Sequence, residues 1–238
     1  MSEFERPTQR AHREVAAVLR EGDLAIDATA GNGHDTLFLA QQVGESGRVV
    51  AFDLQEDAIR ATRERLESAG VAERVSLVHG SHALLGGQVG KGEAAVAMFN
   101  LGYLPGGDHG VITQKEETLK ALGQALEVLR EGGLLSVICY PGHPGGFEES
   151  QAVVMWADGL ESWQYWKELI CRPGEVWADL TLPTAKLAEK DRDHPDWQLM
   201  LESSRRLKVI KGEMLREGGQ RPGPFLLLVR KVSSGRSC

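Results

Sequence analysis

Little in the chain ties it to a membrane, a disulfide framework or a metal. Its three cysteines, Cys139, Cys171 and Cys238, are odd in number, far apart and form no CxxC pair. That spacing argues against a disulfide scaffold or a zinc cluster, so reduced thiols and a site without metal are expected. No stretch of about 18 apolar residues occurs, and the opening "MSEFERPTQRAHREVAAVLR" is amphipathic rather than a basic segment followed by an apolar core. A cytoplasmic protein without a membrane partner is the expectation. Positive charge is short as well: 27 Lys and Arg stand against 34 Asp and Glu, a formal charge of −7. This weighs against a broad electrostatic footprint for nucleic acid, although a local basic face is compatible with an acidic total.

What the chain does have is alternation. At 238 residues and 42% hydrophobic content it can bury a sizeable core as one α/β domain spanning residues 1–238. An amphipathic helix over about 8–20 leads into the short apolar run "LAID", a glycine turn and the helix "TLFLAQQV". Strand "RVVAFDL", helix "QEDAIRATRERLESAG" ending at Gly70, strand "RVSLVHG", strand "AAVAMFN", helix "KEETLKALGQALEVLR" and strand "GLLSVICY" follow. Such an order implies a parallel sheet covered by helices on both faces. After "PGHPGG" a helix is expected from Phe147 to Leu160, and two β-rich runs, "RRLKVIKGEML" and "PFLLLVRK", read as a terminal antiparallel hairpin. Residues 161–204 are less regular; all five tryptophans fall in or just before them, and they read as an insertion ahead of the hairpin. The tail 233–238 is expected to be disordered.

The first chemistry lies in "DATAGNGHD". Gly31 and Gly33 can bring backbone close to a ligand at the carboxyl end of the first strand, where open α/β sheets bind cofactors. Asp53 stands 20 positions after Gly33, at the end of the second strand, where a carboxylate can accept from both hydroxyls of a ribose. Either feature alone is a common turn or cap; together they point to a nucleoside-containing cofactor. The dinucleotide fingerprint wants a third glycine where this chain has Thr36, which disfavours NAD.

Asp27, four positions before Gly31, completes a pattern that resembles class I S-adenosylmethionine-dependent methyltransferases over about residues 20–140. The resemblance implies a Rossmann-like sheet of seven strands with the last antiparallel. It also implies S-adenosyl-L-methionine as cofactor, with Asp27 near its methionine end. Two departures are visible: Thr29 replaces a glycine, and "GSH" (Gly80 to His82) replaces the acidic residue that usually meets adenine. "NLGY" resembles the (N/D)PP(Y/F) motif that amine methyltransferases carry at the end of their fourth strand. There an amide oxygen and a backbone carbonyl accept the amine's N–H bonds and aim its lone pair. Asn100 is the implied amine-orienting residue, Tyr103 the side chain packed on the target, and Asp108 the group that takes a proton from an incoming ammonium. His109 and His143 are weaker base candidates.

At finer grain, "DATAGNGHDTLFLA", "FDLQ", "GSH", "NLGYLPGGD" and "GHPGG" resemble a narrower group long labelled rRNA methylases, whose members are tRNA methyltransferases. That group is similar to the enzymes that methylate the amine of 5-aminomethyl-2-thiouridine at the tRNA wobble position. The implied cofactor-binding set is Asp27, Gly31, Asn32, Gly33, His34, Asp53, Gln55, Ser81, His82 and Asn100. The implied partner is tRNA through its anticodon loop, with a homodimer as an unsupported alternative. The tryptophans would either stack on loop bases or pack the insertion onto the domain, and "SSRRLKVIK" would either meet phosphates or protect a sheet edge. Two rival functions stay open: methylation of a small-molecule amine, and a non-catalytic cofactor-binding partner subunit.

Overall fold

A computed structural model of the chain describes residues 5–102, 113–161, 164–170 and 223–232. Seven strands carry the architecture: β1 (Leu24–Asp27), β2 (Arg48–Asp53), β3 (Val75–His79), β4 (Ala94–Asn100), β5 (Leu129–Cys139), β6 (Tyr165–Ile170) and β7 (Phe225–Lys231). Five helices flank them: α1 (Pro7–Val18), α2 (His34–Gln42), α3 (Glu56–Ser68), α4 (Lys115–Val128) and α5 (Gly146–Asp158). The sheet order is β3-β2-β1-β4-β5-β7-β6, parallel from β3 to β5, with β7 running antiparallel between β5 and β6. This is the Rossmann-like seven-stranded sheet, with its last strand antiparallel, that the sequence implied.

Two apolar layers explain why the sheet is covered on both faces. Ala25, Val49, Met98, Ile138, Leu226 and Leu228 point to one side, where Ala11 and Val15 of α1, Leu39 of α2 and Leu66 of α3 close over them. Ile26, Phe52, Phe99, Val137, Leu227 and Val229 point to the other, against Leu122 and Ala125 of α4 and Val153 and Val154 of α5. The period of two in β7, with 225, 227 and 229 on one side and 226 and 228 on the other, marks a strand buried on both faces.

Strand order reverses between β1 and β4: β2 and β3 extend one way, β5 and its neighbours the other. The crevice outside the carboxyl ends of β1 and β4 is the place where such sheets bind ligands.

Two expectations change here. Leu129 and Arg130, read as helical, begin β5: Leu129 turns extended, and the Arg130 guanidinium reaches Asp23 through two bonds of 2.8 and 2.9 Å. The end of α4 is closed instead by Lys231 on β7, whose Nζ donates to the Leu126 and Leu129 carbonyls. In addition, the sheet neighbour of β7 is β6, from inside the stretch read as irregular. The hairpin partner expected at residues 205–215, most of the insertion, and the tail lie outside the described residues. β6 was hard to read because Lys167 interrupts it with a charge. That side chain is buried, and its Nζ donates to the Ala157 and Leu160 carbonyls at the end of α5. Two tryptophans also find places: Trp156 packs on the α4–α5 layer and Trp166 on the α1 layer. Among the described residues no helix is long and apolar enough to cross a membrane.

Candidate active site

The glycine turn after β1 is held from three sides. Ala28 N donates to Met98 O and Ala30 N to Phe52 O, each at 2.8 Å, so the turn is strung between the ends of β4 and β2. Gly31 and Gly33 have φ of 53° and 77°, the left-handed region that glycine adopts without strain. Helix α3 closes the third side: Thr62 Oγ1 donates to Gly31 O at 3.1 Å and Arg65 Nε to Asn32 O at 2.6 Å. A Cβ on Gly33 would stand 2.8 Å from Thr62 Cα, so the turn and α3 meet backbone to backbone.

Asp53 ends β2 with its carboxylate facing this turn. Oδ2 accepts from Gly31 N and Oδ1 from Gln55 N, both at 2.9 Å. These bonds fix the carboxylate's orientation and leave lone pairs on both oxygens toward the cavity that Asp53 lines. Across from it, His82 opens a 3₁₀ turn (His82–Gly87), and its Nδ1 donates to Ala28 O at 3.2 Å. Burial lowers its pKa, so the ring is neutral and Nε2 is an acceptor. That Nε2 is enclosed without a partner among the described residues. A buried acceptor left open beside a cavity suits a ligand with an N–H donor.

Asn100, the last residue of β4, is tied on every side. Its backbone N–H donates to Thr29 Oγ1 at 2.7 Å, which gives the threonine in place of the usual glycine a structural task. Its side-chain Nδ2 donates to Asp35 Oδ2 at 3.4 Å, and Tyr140 lines the same cavity beside it. The phenol of Tyr140 is pushed above its usual range by burial and then by the nearby charge of Asp35. Asp35 in turn accepts on Oδ1 from His12 Nε2 at 2.6 Å, while the His12 ring stacks on Phe38 with centroids 4.0 Å apart. His12, Asp35 and Asn100 thus form a chain from α1 through α2 to β4.

All of this borders one cavity of ≈ 790 Å³. Of the residues singled out in the sequence, Gly31, Asn32, His34, Asp53, Gln55, His82 and Asn100 line it, as does His143. Asp27, Gly33 and Ser81 do not. The Asp27 carboxylate faces inward, accepting from Thr29 N at 3.0 Å and Thr36 Oγ1 at 2.6 Å. Its pKa is raised to about 7, first by burial and then by the charge of Asp35. Asp27 shapes the turn from behind it. Ser81 caps the 3₁₀ turn by accepting from Ala83 N and donates to Glu117. Tyr103, Asp108 and His109 lie outside the described residues. The two ends of that stretch are joined, however. Gly102 N donates to Thr113 Oγ1 and Thr113 N to Gly102 O, each at 3.1 Å, and Thr113 Oγ1 donates to the buried Glu149 at 2.6 Å. Thr8, His12, Asp35, Thr113 and Tyr140 line the cavity unforeseen by the sequence. Only their three-dimensional neighbours mark them out.

A family profile described as "Putative rRNA methylase" matches residues 49–171. The chain is 43% identical over 163 residues to a chloroplastic tRNA (mnm(5)s(2)U34)-methyltransferase of Arabidopsis thaliana, covering 64% of this chain and 59% of that one. A crystal structure titled "putative rRNA-methylase" from Clostridium thermocellum is 29% identical, superposes with a TM-score of 0.73, and covers 97% of this chain and 100% of that one. A methyltransferase from Streptococcus mutans, solved in complex with SAH, is likewise 29% identical with a TM-score of 0.70 over the same shares.

Proposed function

From the premise that the chain belongs to the rRNA methylase family, we propose that it is an S-adenosylmethionine-dependent methyltransferase that N-methylates the amine of 5-aminomethyl-2-thiouridine at the tRNA wobble position. The residues present fit the cofactor. Asp53 offers oriented lone pairs for the ribose hydroxyls, and the neutral ring of His82 lines the cavity across from it. The turn at Gly31–Gly33 lets backbone approach the remainder. Two carboxylates that line the cavity, Asp35 and Asp53, gather negative charge there, which suits a positively charged sulfonium. When bound, the cofactor supplies a methyl group on that sulfonium.

The observation that carries the reading is the state of Asn100. Its Nδ2 donates to Asp35 Oδ2, so its Oδ1 remains as the acceptor of the side chain at the cavity wall. An acceptor held in that manner binds an amine N–H and turns the nitrogen lone pair toward the methyl carbon.

The test uses tRNA from cells that lack the terminal wobble methylation, labelled cofactor and nucleoside mass analysis. Wild type should yield a methylaminomethyl-thiouridine peak. Asn100→Ala should still bind S-adenosylhomocysteine but lose transfer by on the order of 100-fold or more. Cofactor binding by wild type with no transfer to tRNA would redirect the reading to a small amine or to a partner-subunit role.

A further inference from the structure

The primary amine of the proposed substrate is an ammonium at neutral pH, and an ammonium has no lone pair with which to attack. Some group at the cavity must take one proton before Asn100 can aim the nitrogen. Asp35 is the carboxylate bonded to Asn100, through Oδ2 at 3.4 Å, and it lines the same cavity. Its other oxygen is occupied by His12 Nε2 at 2.6 Å, and His12 is itself pinned flat against Phe38. Oδ2 therefore keeps a lone pair toward the cavity on a carboxylate that cannot rotate away.

We infer that Asp35, held in place by His12, receives the substrate's ammonium and accepts its proton; this inference rests on the amine-methylating reading above. In the step, one N–H bond of the ammonium breaks, an O–H bond forms on Asp35 Oδ2, and the electron pair stays on nitrogen. The proton later leaves to solvent. Asp35 is the catalytic residue in this account, and His12 is a positioning residue. The ionisable groups that face the pair are Asp27 behind it at the end of β1, Tyr140 after β5 and His34 beside it on α2. Across the cavity lie Asp53, His82 and His143. Among the described residues that line the cavity none is a lysine or arginine, which suits a cationic substrate beside Asp35.

The experiment compares wild type, Asp35→Asn and His12→Phe on the tRNA substrate from about pH 6.5 to about 9.5, a range that climbs toward the titration of a primary amine. Binding of S-adenosylhomocysteine is measured in parallel. Asp35→Asn should lower kcat on the order of 100-fold near pH 7. The deficit should narrow by up to about tenfold per pH unit as the neutral amine becomes available. His12→Phe keeps the ring stack but removes the donor, and should lose roughly tenfold in kcat. S-adenosylhomocysteine affinity should stay within about threefold of wild type, a factor worth under 1 kcal/mol.

A deficit of the same size at every pH overturns the inference, since a structural defect is not rescued by deprotonating the substrate. A loss that vanishes at saturating cofactor, with weakened S-adenosylhomocysteine binding, overturns it in favour of Asp35 holding the cofactor's own ammonium. A pH-rescued deficit in Asp108→Asn but not in Asp35→Asn overturns the inference and moves the role to Asp108. If wild type methylates no amine-bearing RNA, the functional reading falls and the inference with it. Methylation by wild type beside an unchanged Asp35→Asn profile removes the inference alone.

Discussion

Replacing Asp27 by asparagine should make the protein more stable at pH 8 relative to wild type than it does at pH 4. Asp27 is buried at the end of β1 with its pKa raised from 3.8 to about 7, chiefly by desolvation and secondly by the charge of Asp35. The sign follows from linkage. A carboxyl whose folded pKa lies above its unfolded value favours the fold while it is protonated, and that contribution is complete below pH 3.8. It is lost as pH rises through about 7, where the folded state must hold a buried charge. A shift of about three units at about 1.4 kcal/mol each is on the order of 4 kcal/mol. Asparagine keeps an oxygen for Thr29 N and can donate to Thr36 Oγ1, so the two hydrogen bonds survive without the charge. In a chain of this size 1 kcal/mol moves Tm by about 2–4 °C, so the difference in Tm between Asp27→Asn and wild type should swing by on the order of 10 °C between pH 4 and pH 8. Differential scanning calorimetry across that range measures it, and taking the difference cancels groups common to both proteins. Asp35→Asn should shrink the swing without abolishing it, since it removes only the second cause. A difference in Tm that is flat with pH would refute the claim that Asp27 is a charge forced into the interior.

Two further substitutions test the scaffold of the site. Gly33→Ala places a Cβ 2.8 Å from Thr62 Cα at a residue with φ of 77°. It should cost about 1–3 kcal/mol in thermal unfolding and weaken S-adenosylhomocysteine binding in titration calorimetry; an unaltered protein on both counts would show that turn and α3 are not in contact. Glu149→Ala leaves the hydroxyls of Thr113 and Thr118 without their acceptor inside the protein, and should lower stability in urea by about 2–3 kcal/mol. Adding Thr113→Ala should then cost little more, because the two belong to one network; full additivity would argue that they act separately.

How much of this was legible depended on whether the signal was local. Strands such as Ala94–Asn100 and helices such as Glu56–Ser68 carry their period and their stop signals in adjacent residues, and the alternation gave the sheet. The glycine turn and Asp53 were legible because one short motif holds both the turn and the spacing. The inward direction of the Asp27 carboxylate was not legible because a motif fixes the order of residues and not the direction of a side chain. His12 and Asp35 were invisible because they stand 23 positions apart, and neither is unusual on its own helix. β6 was hidden by Lys167, whose charge reads as surface until the end of α5 is placed beside it to receive the ammonium.

The place of β7 in the sheet bears on how the protein is made. β7 lies between β5 and β6, yet it is synthesised after both. Until Phe225–Lys231 leave the ribosome, β5 has an open edge along Leu134–Cys139 and β6 no neighbour among the described strands, and both apolar layers lack the side chains that β7 supplies. Parallel pairing from β3 to β5 can form earlier, so the nascent chain has a half-sheet with a sticky side waiting for its last strand. A nonsense change just before Phe225 therefore removes few residues but yields an aggregating product rather than a shortened enzyme. The same seam makes β7, supplied as a separate peptide to such a truncated chain, a means of completing the sheet from outside.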